Sequence, residues 1–139
     1  MSVLFSSLLI IVSCSAGESS SGFSFGKGKY NFKMTDSSGK EMLTGILYVK
    51  TFNTDNSISG TYEFKKITDK DFPGYSSMEG EFSGNVDNST RMVFINTNPR
   101  IADANVFWNL KIKKSSLSGG WNYSTFRGKA SGGLVKITK

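Results

Sequence analysis

The stretch Asn105-Val106-Phe107-Trp108-Asn109-Leu110-Lys111-Ile112-Lys113-Lys114-Ser115-Ser116-Leu117-Ser118-Gly119-Gly120-Trp121-Asn122-Tyr123-Ser124 decides the fold. Val106, Trp108, Leu110 and Ile112 alternate with Asn105, Phe107, Asn109, Lys111 and Lys113. After a short polar turn, Leu117, Gly119, Trp121 and Tyr123 alternate with Ser118, Gly120, Asn122 and Ser124. Side chains of a strand point to opposite faces with period two, so each half has one apolar and one wet face, the pattern of antiparallel sheet.

The same period runs outward in both directions, through Ile58, Gly60, Tyr62 and Phe64 and through Tyr30, Phe32 and Met34. It predicts eight strands, at 28–36, 41–51, 57–66, 76–86, 90–97, 105–114, 117–125 and 129–137. Most connections are tight and turn-rich, such as Asp36-Ser37-Ser38-Gly39 and Asn53-Thr54-Asp55-Asn56. Two are long, Ile67 to Tyr75 and Asn98 to Ala104, and Asn98-Pro99 reads as the cap and first residue of one helical turn. A small unit recurs in five strands: an apolar residue or Ala, then Ser, Thr or Glu, then Gly, then any residue, then a large apolar one. Its glycines are Gly45, Gly60, Gly80, Gly119 and Gly132. Each is expected to face inward, where a missing side chain lets strands coil tightly and admits a neighbouring ring. That favours an all-β, eight-stranded antiparallel up-and-down barrel, which leaves no open edge.

Composition agrees. The chain has 139 residues, enough for one domain, with 37% hydrophobic residues, 15 glycines and 2 prolines. It has no histidine, which removes imidazole metal sites and histidine-based triads, and one cysteine, which cannot form an internal disulfide.

Across the secreted part the chain resembles the lipocalin and avidin type of barrel. Ile58-Ser59-Gly60-Thr61-Tyr62 is similar to the avidin strand motif, and Gly28-Lys29-Tyr30 stands where lipocalins place Gly-x-Trp. Tyr replaces that Trp, no lipocalin arginine is evident in the last strand, which offers Lys136 instead, and the set of biotin contacts is incomplete. The resemblance therefore implies a barrel and carries over no ligand.

Before the strands lies an address. Val3 to Val12 is mostly apolar, too short to span a membrane and suited to the core of a secretion signal. Ile11-Val12-Ser13-Cys14 resembles the lipobox of bacterial lipoproteins, in which the cysteine is lipidated after cleavage. The resemblance implies a signal peptide at 1–13, lipidated Cys14 with a Ser/Gly-rich tether at 14–27, and a barrel at 28–139. It places the protein in the cell envelope, held to the outer membrane or cell surface through Cys14.

Meander connectivity puts both long connections at the end of the barrel away from the tether. That mouth is expected to carry Phe72, Tyr75, Arg100, Phe126 and Arg127, with Phe64, Trp108, Trp121 and Tyr123 lining the bore beneath. The leading expectation is a non-enzymatic lipoprotein binding a small, partly apolar ligand there, with no cofactor and no metal. The alternative is a protein-binding barrel with a filled core, such as a protease inhibitor or adhesin, motivated by outward Ile46, Tyr48 and Phe107.

Chemistry finds little support. Glu63, Glu79 and Glu81 share outward parity, but an outer barrel face is expected to offer no concavity. Ser37-Ser38-Gly39-Lys40 matches S-x-x-K in a turn rather than on the helix that acylation needs. Asp69, Asp71 and Asp103 lack the spacing of a calcium loop. The net charge of +6 suggests nucleic acid, but export and the inward aromatics oppose it. The basic stripe Lys111, Lys113 and Lys114 instead fits a position near anionic lipid headgroups.

Overall fold

The computed structural model describes residues 23–69, 72, 74, 75, 77–100 and 103–139. The stretch Ile11–Cys14, which resembles a lipobox, lies outside the described residues.

Eight antiparallel strands run in chain order: β1 (Gly28–Asp36), β2 (Glu41–Phe52), β3 (Ser57–Ile67), β4 (Glu79–Asp87), β5 (Met92–Asn96), β6 (Asn105–Ile112), β7 (Leu117–Thr125) and β8 (Gly128–Thr138). Each pairs with the next, and β8 returns to β1 through Phe32–Ile137 and Met34–Val135, so the barrel is closed. The predicted fold is therefore the observed one. The fifth strand is shorter than expected, because Arg91 sits at φ 58° and ends the extended run before Met92.

Alternation builds the core. Tyr30, Phe32 and Met34 of β1 face Leu43 and Leu47 of β2, Tyr62 and Phe64 of β3 and Trp108 and Leu110 of β6, all buried. The outer faces carry mainly Lys, Asn, Ser, Thr and Glu, the inverse of a barrel whose outside meets lipid. Among the described residues no helix is long and apolar enough to cross a membrane.

Four of the five expected inward glycines share rows with core residues: Gly45 opposite Phe32, Gly60 opposite Phe82, Gly80 opposite Tyr62 and Gly119 opposite Leu110. Gly132 does not. It pairs with Asn122 on the outer face, and Gly133 pairs with inward Trp121. Leu134, read as inward, is 60% exposed while Val135 is buried. The Ala-Ser-Gly-Gly-Leu run has the same period in either register. Only pairing with β7 and β1 selects the one that buries Val135 and Ile137. Gly84, in a row with Ile58 and Ile95, is a further inward glycine that the repeat missed.

Three hairpin turns use one device. In Asp36-Ser37-Ser38, Asp55-Asn56-Ser57 and Asp87-Asn88-Ser89, the Asp Oδ1 accepts from the Ser backbone N–H at 2.8–2.9 Å and from its hydroxyl at 2.6 Å. These bonds, above all that from the serine hydroxyl, hold each carboxyl below its ordinary range, Asp87 at about 2.

The segment expected as tether is partly built into the domain. Phe23 N–H donates to the Lys114 carbonyl at 2.8 Å, and Phe23 and Phe25 lie against the Tyr30 ring at 6.0 and 5.2 Å. The Tyr30 hydroxyl donates to Gly26 O at 2.9 Å and accepts from Gly26 N–H at 3.0 Å.

Candidate functional site

Six of the nine residues expected at the far mouth meet there. Tyr75 packs edge-on against Phe64 at 4.8 Å and Tyr62 at 5.6 Å, and Phe72 stacks on Tyr75 at 5.1 Å. Phe72 also touches Trp121, 5.2 Å away. Tyr123 is partly buried against the core, close enough that a side chain at Gly74 would strike its ring. Trp108 lies below, fully buried, 5.0 Å from Phe32.

The cationic half does not assemble. Arg100 is 82% exposed and pairs at 2.7 Å with Glu81 on the outer face of β4. Phe126 is 83% exposed and Arg127 is exposed beside it on the β7–β8 turn, with Phe126 N–H donating to Asp103 Oδ1 at 2.7 Å. Glu81 supplies the counter-charge that holds the Arg100 guanidinium on the outer face.

Two residues that the alternation could not reveal fasten this mouth. Asn98 Nδ2 donates to Gly74 O at 2.7 Å and to Ala104 O at 2.8 Å, tying the two long connections together. Asn98 is thus a buckle rather than the expected helix cap, and no helix exists among the described residues. Buried Thr97 places its hydroxyl 3.1 Å from both the Tyr75 hydroxyl and the Val106 carbonyl. A carbonyl can only accept, so when Thr97 donates there, Tyr75 donates to Thr97. The Tyr75 oxygen is then open to the nearby indole N–H of buried Trp108, which meets no other hydrogen-bond partner among the described residues. Burial pushes the Tyr62 hydroxyl up to about 12 and raises Tyr75 as well, so both stay protonated near neutral pH.

Below the plug the bore is filled. A void wide enough for water would leave accessible area on the side chains around it, yet Leu43, Leu47, Ile95, Val106, Trp108 and Leu110 have none. Trp121 gives its indole N–H to the Thr35 carbonyl at 2.8 Å. Gly133 permits this, since a Cβ there would collide with both Thr35 O and the indole nitrogen.

Concavities lie instead on the outside. One of about 740 Å³ is lined by Lys33, Lys113, Ser116, Ser118, Leu134 and Lys136. Another, of about 440 Å³, lies among Tyr48, Lys50, Thr61, Glu63, Glu79 and Glu81. The expectation that nothing concave flanks the three glutamates is therefore corrected, although these are open grooves. Glu63 pairs with Lys65 and Glu81 with Arg100, and Glu79 stands directly opposite Glu63.

The outer face of β4–β7 differs from the rest. Two adjacent rows read Asn85–Phe94–Asn109 and Asn96–Phe107–Asn122, a checkerboard of amides and phenyl rings without a charge. Phe94 and Phe107 lie diagonally and stack at 5.5 Å, with Phe94 37% exposed. Asn85, Asn109 and Asn122 spend no side-chain hydrogen bond among the described residues. Of the three outward residues expected to mark a partner surface, Phe107 belongs to this patch. Ile46 is buried by its neighbours, and Tyr48 lies on the far side under Lys29.

Charge is divided between the two ends. Near the end where the chain enters lie Lys27 and Lys29 before and in β1, Lys50 late in β2, and Arg91 in the β4–β5 turn. Lys111, Lys113 and Lys114 follow around the β6–β7 turn, with Lys136 and Lys139 at the end of β8. Against these nine cations stand, among the described residues, only Asp55 and Asp87. Toward the far end the described cations Lys33, Lys40, Lys65, Lys66, Arg100, Arg127 and Lys129 are matched in number by Asp36, Glu41, Glu63, Asp69, Glu79, Glu81 and Asp103. Every ion pair among the described residues uses a far-half cation.

No protein-family model matches the chain, and no curated protein or solved structure matches it.

Proposed function

We propose that this protein is a membrane-anchored binding barrel that engages a protein partner through the outer face of β4–β7. The observation that carries this reading is the uncharged patch of amides around stacked Phe94 and Phe107 on the outer face of β4–β7. Cores of protein interfaces are depleted in charge and enriched in aromatic residues, with polar groups around them. The filled bore adds weight, since it leaves the interior to stability and the outside to recognition. Anchoring through Cys14 remains part of the proposal and rests on the lipobox resemblance.

Photo-crosslinkers installed at Asn85 and Asn109, and separately at exposed Lys33 on β1 across the barrel, test it in intact cells. A discrete adduct from the first two positions only, lost on Phe94→Ser with Phe107→Ser, is the expected result. The double variant should fold, because exposed cross-strand pairs contribute about 1 kcal/mol or less. Indistinguishable adducts from both faces would sink the proposal.

A second reading has its own support. The indole N–H of Trp108, fully buried and aimed at Tyr75, offers a donor to a small polar group entering between Phe72 and Tyr75. A thermal-shift screen of hydrophobic acids tests it. A hit abolished by Trp108→Phe and untouched by Phe94→Ser would favour the mouth over the outer face.

A further inference from the structure

We propose that the entry end of the barrel is a dock for anionic phospholipid headgroups, which sets the domain upright on the membrane that holds it. Three independent features converge there. The cations of that end, among them Lys111, Lys113 and Lys114, are exposed and make no ion pair among the described residues, whereas the far half balances its charges internally. The two acids at that end are occupied, Asp55 and Asp87 each holding the serine two residues on. The chain also enters at that corner, since Phe23 N–H is bonded to the carbonyl of Lys114 itself.

The third feature supplies the partner. From Cys14 to Phe23 the chain spans at most about 30 Å, so a lipid on Cys14 keeps the lysines within reach of headgroup phosphates. This step alone rests on the anchoring part of the proposed function. Ammonium groups attract a negative surface over about a Debye length, ~10 Å at 0.1 M salt, and each contributes roughly a fivefold gain in binding. With the basic end on the lipid, the barrel axis stands up from the surface, and the β4–β7 face with Phe94 and Phe107 is presented sideways, clear of the bilayer. The groove that holds Lys113 and Lys136 beside Ser116 and Ser118 opens from the same end.

The test uses the full chain and its partition onto vesicles of phosphatidylcholine alone and of phosphatidylcholine with phosphatidylglycerol. The ratio between the two vesicles cancels whatever the N-terminal segment contributes to both. Wild type should prefer the anionic vesicles, and the preference should vanish at about 1 M salt, where the Debye length is ~3 Å. The triple variant Lys111→Gln, Lys113→Gln, Lys114→Gln should reduce the ratio about a hundredfold. A far-end control, Lys40→Gln, Lys66→Gln, Lys129→Gln, removes the same charge and should change it less than about threefold. Equal losses in both triples would reduce the effect to net charge and overturn the dock. Binding to heparin that depends on the three lysines, without any vesicle preference, would assign the end to a soluble polyanion and overturn the lipid reading. Cys14→Ala separates the two proposals, because it should lower binding to both vesicles while leaving their ratio intact.

Discussion

At the end where the chain enters, Tyr30 is capped by Phe23 and Phe25, the turns are held by Asp-x-Ser bonds, and the lysines stand free. At the far end Phe72 and Tyr75 plug the mouth, Asn98 buckles two long connections, and the charges neutralise one another. Both ends exclude water from the same core. They differ in what they leave over. The entry end closes with apolar contacts and backbone bonds, which leaves its charge available to an outside partner. The far end spends Asn98, Thr97 and Tyr75 in holding long loops, and what it leaves over inside is the N–H of Trp108 with the hydroxyls of Thr35 and Ser131.

The comparison breaks first at Tyr30. Truncating an aromatic core residue costs about 3–5 kcal/mol, so Tyr30→Ala should show a loss of that size in urea denaturation. A loss below about 1 kcal/mol would mean that the Phe23 and Phe25 cap does not belong to the cooperative core.

The glycines come next. Gly60→Val and Gly119→Val would drive a side chain into the Tyr48 and Asn109 carbonyls, at a cost of about 1–3 kcal/mol or more. Ser59→Val, pointing outward, should alter stability by about 0.5 kcal/mol or less. Similar melting temperatures for all three would contradict the facing assigned to β3 and β7.

Asn98→Ala probes the far buckle alone. Two carbonyls lose their donor at about 0.5–1.5 kcal/mol each. Limited proteolysis should then cut the connections near Gly74 and Ala104 faster, while the entry end keeps its protection in hydrogen exchange. Uniform loss of protection over the barrel would show that the two ends are one unit.

The smallest effect sharpens the comparison through pH. Asp87 is held at about 2 by the Ser89 and Thr90 bonds, and Asp36 and Asp55 are lowered too. A depressed carboxyl binds protons more readily in the unfolded chain. Its stabilisation is therefore full above the unfolded value near 3.9 and is lost as pH falls through about 2. Melting temperature should drop across that window, and Asp87→Asn should flatten part of the slope. An unchanged slope would remove the turn aspartates from the account of acid stability.

The barrel was legible because alternation is a local signal. Each strand declares its two faces within a few residues, and eight such strands with short polar turns leave few other ways to bury Trp108, Trp121 and Phe64. The aromatic half of the mouth followed from the same parity combined with up-and-down order. Where alternation lost contrast, the reading failed. Ala130 to Leu134 fits either register, and only cross-strand burial of Val135 and Ile137 chose Gly133 over Gly132 for the inside.

What the chain by itself determined is the period, the turns and hence the closed eight-stranded meander, together with the surplus of cations. Tertiary structure alone decided where long, flexible side chains go and which loops meet. Arg100 turns outward because Glu81 waits there, although the two lie far apart in sequence. Asn98 joins Gly74 to Ala104 because two connections converge. Net charge is likewise a sum that carries no direction until the strands bring the turns of one end together, and only then does the excess fall at the entry end.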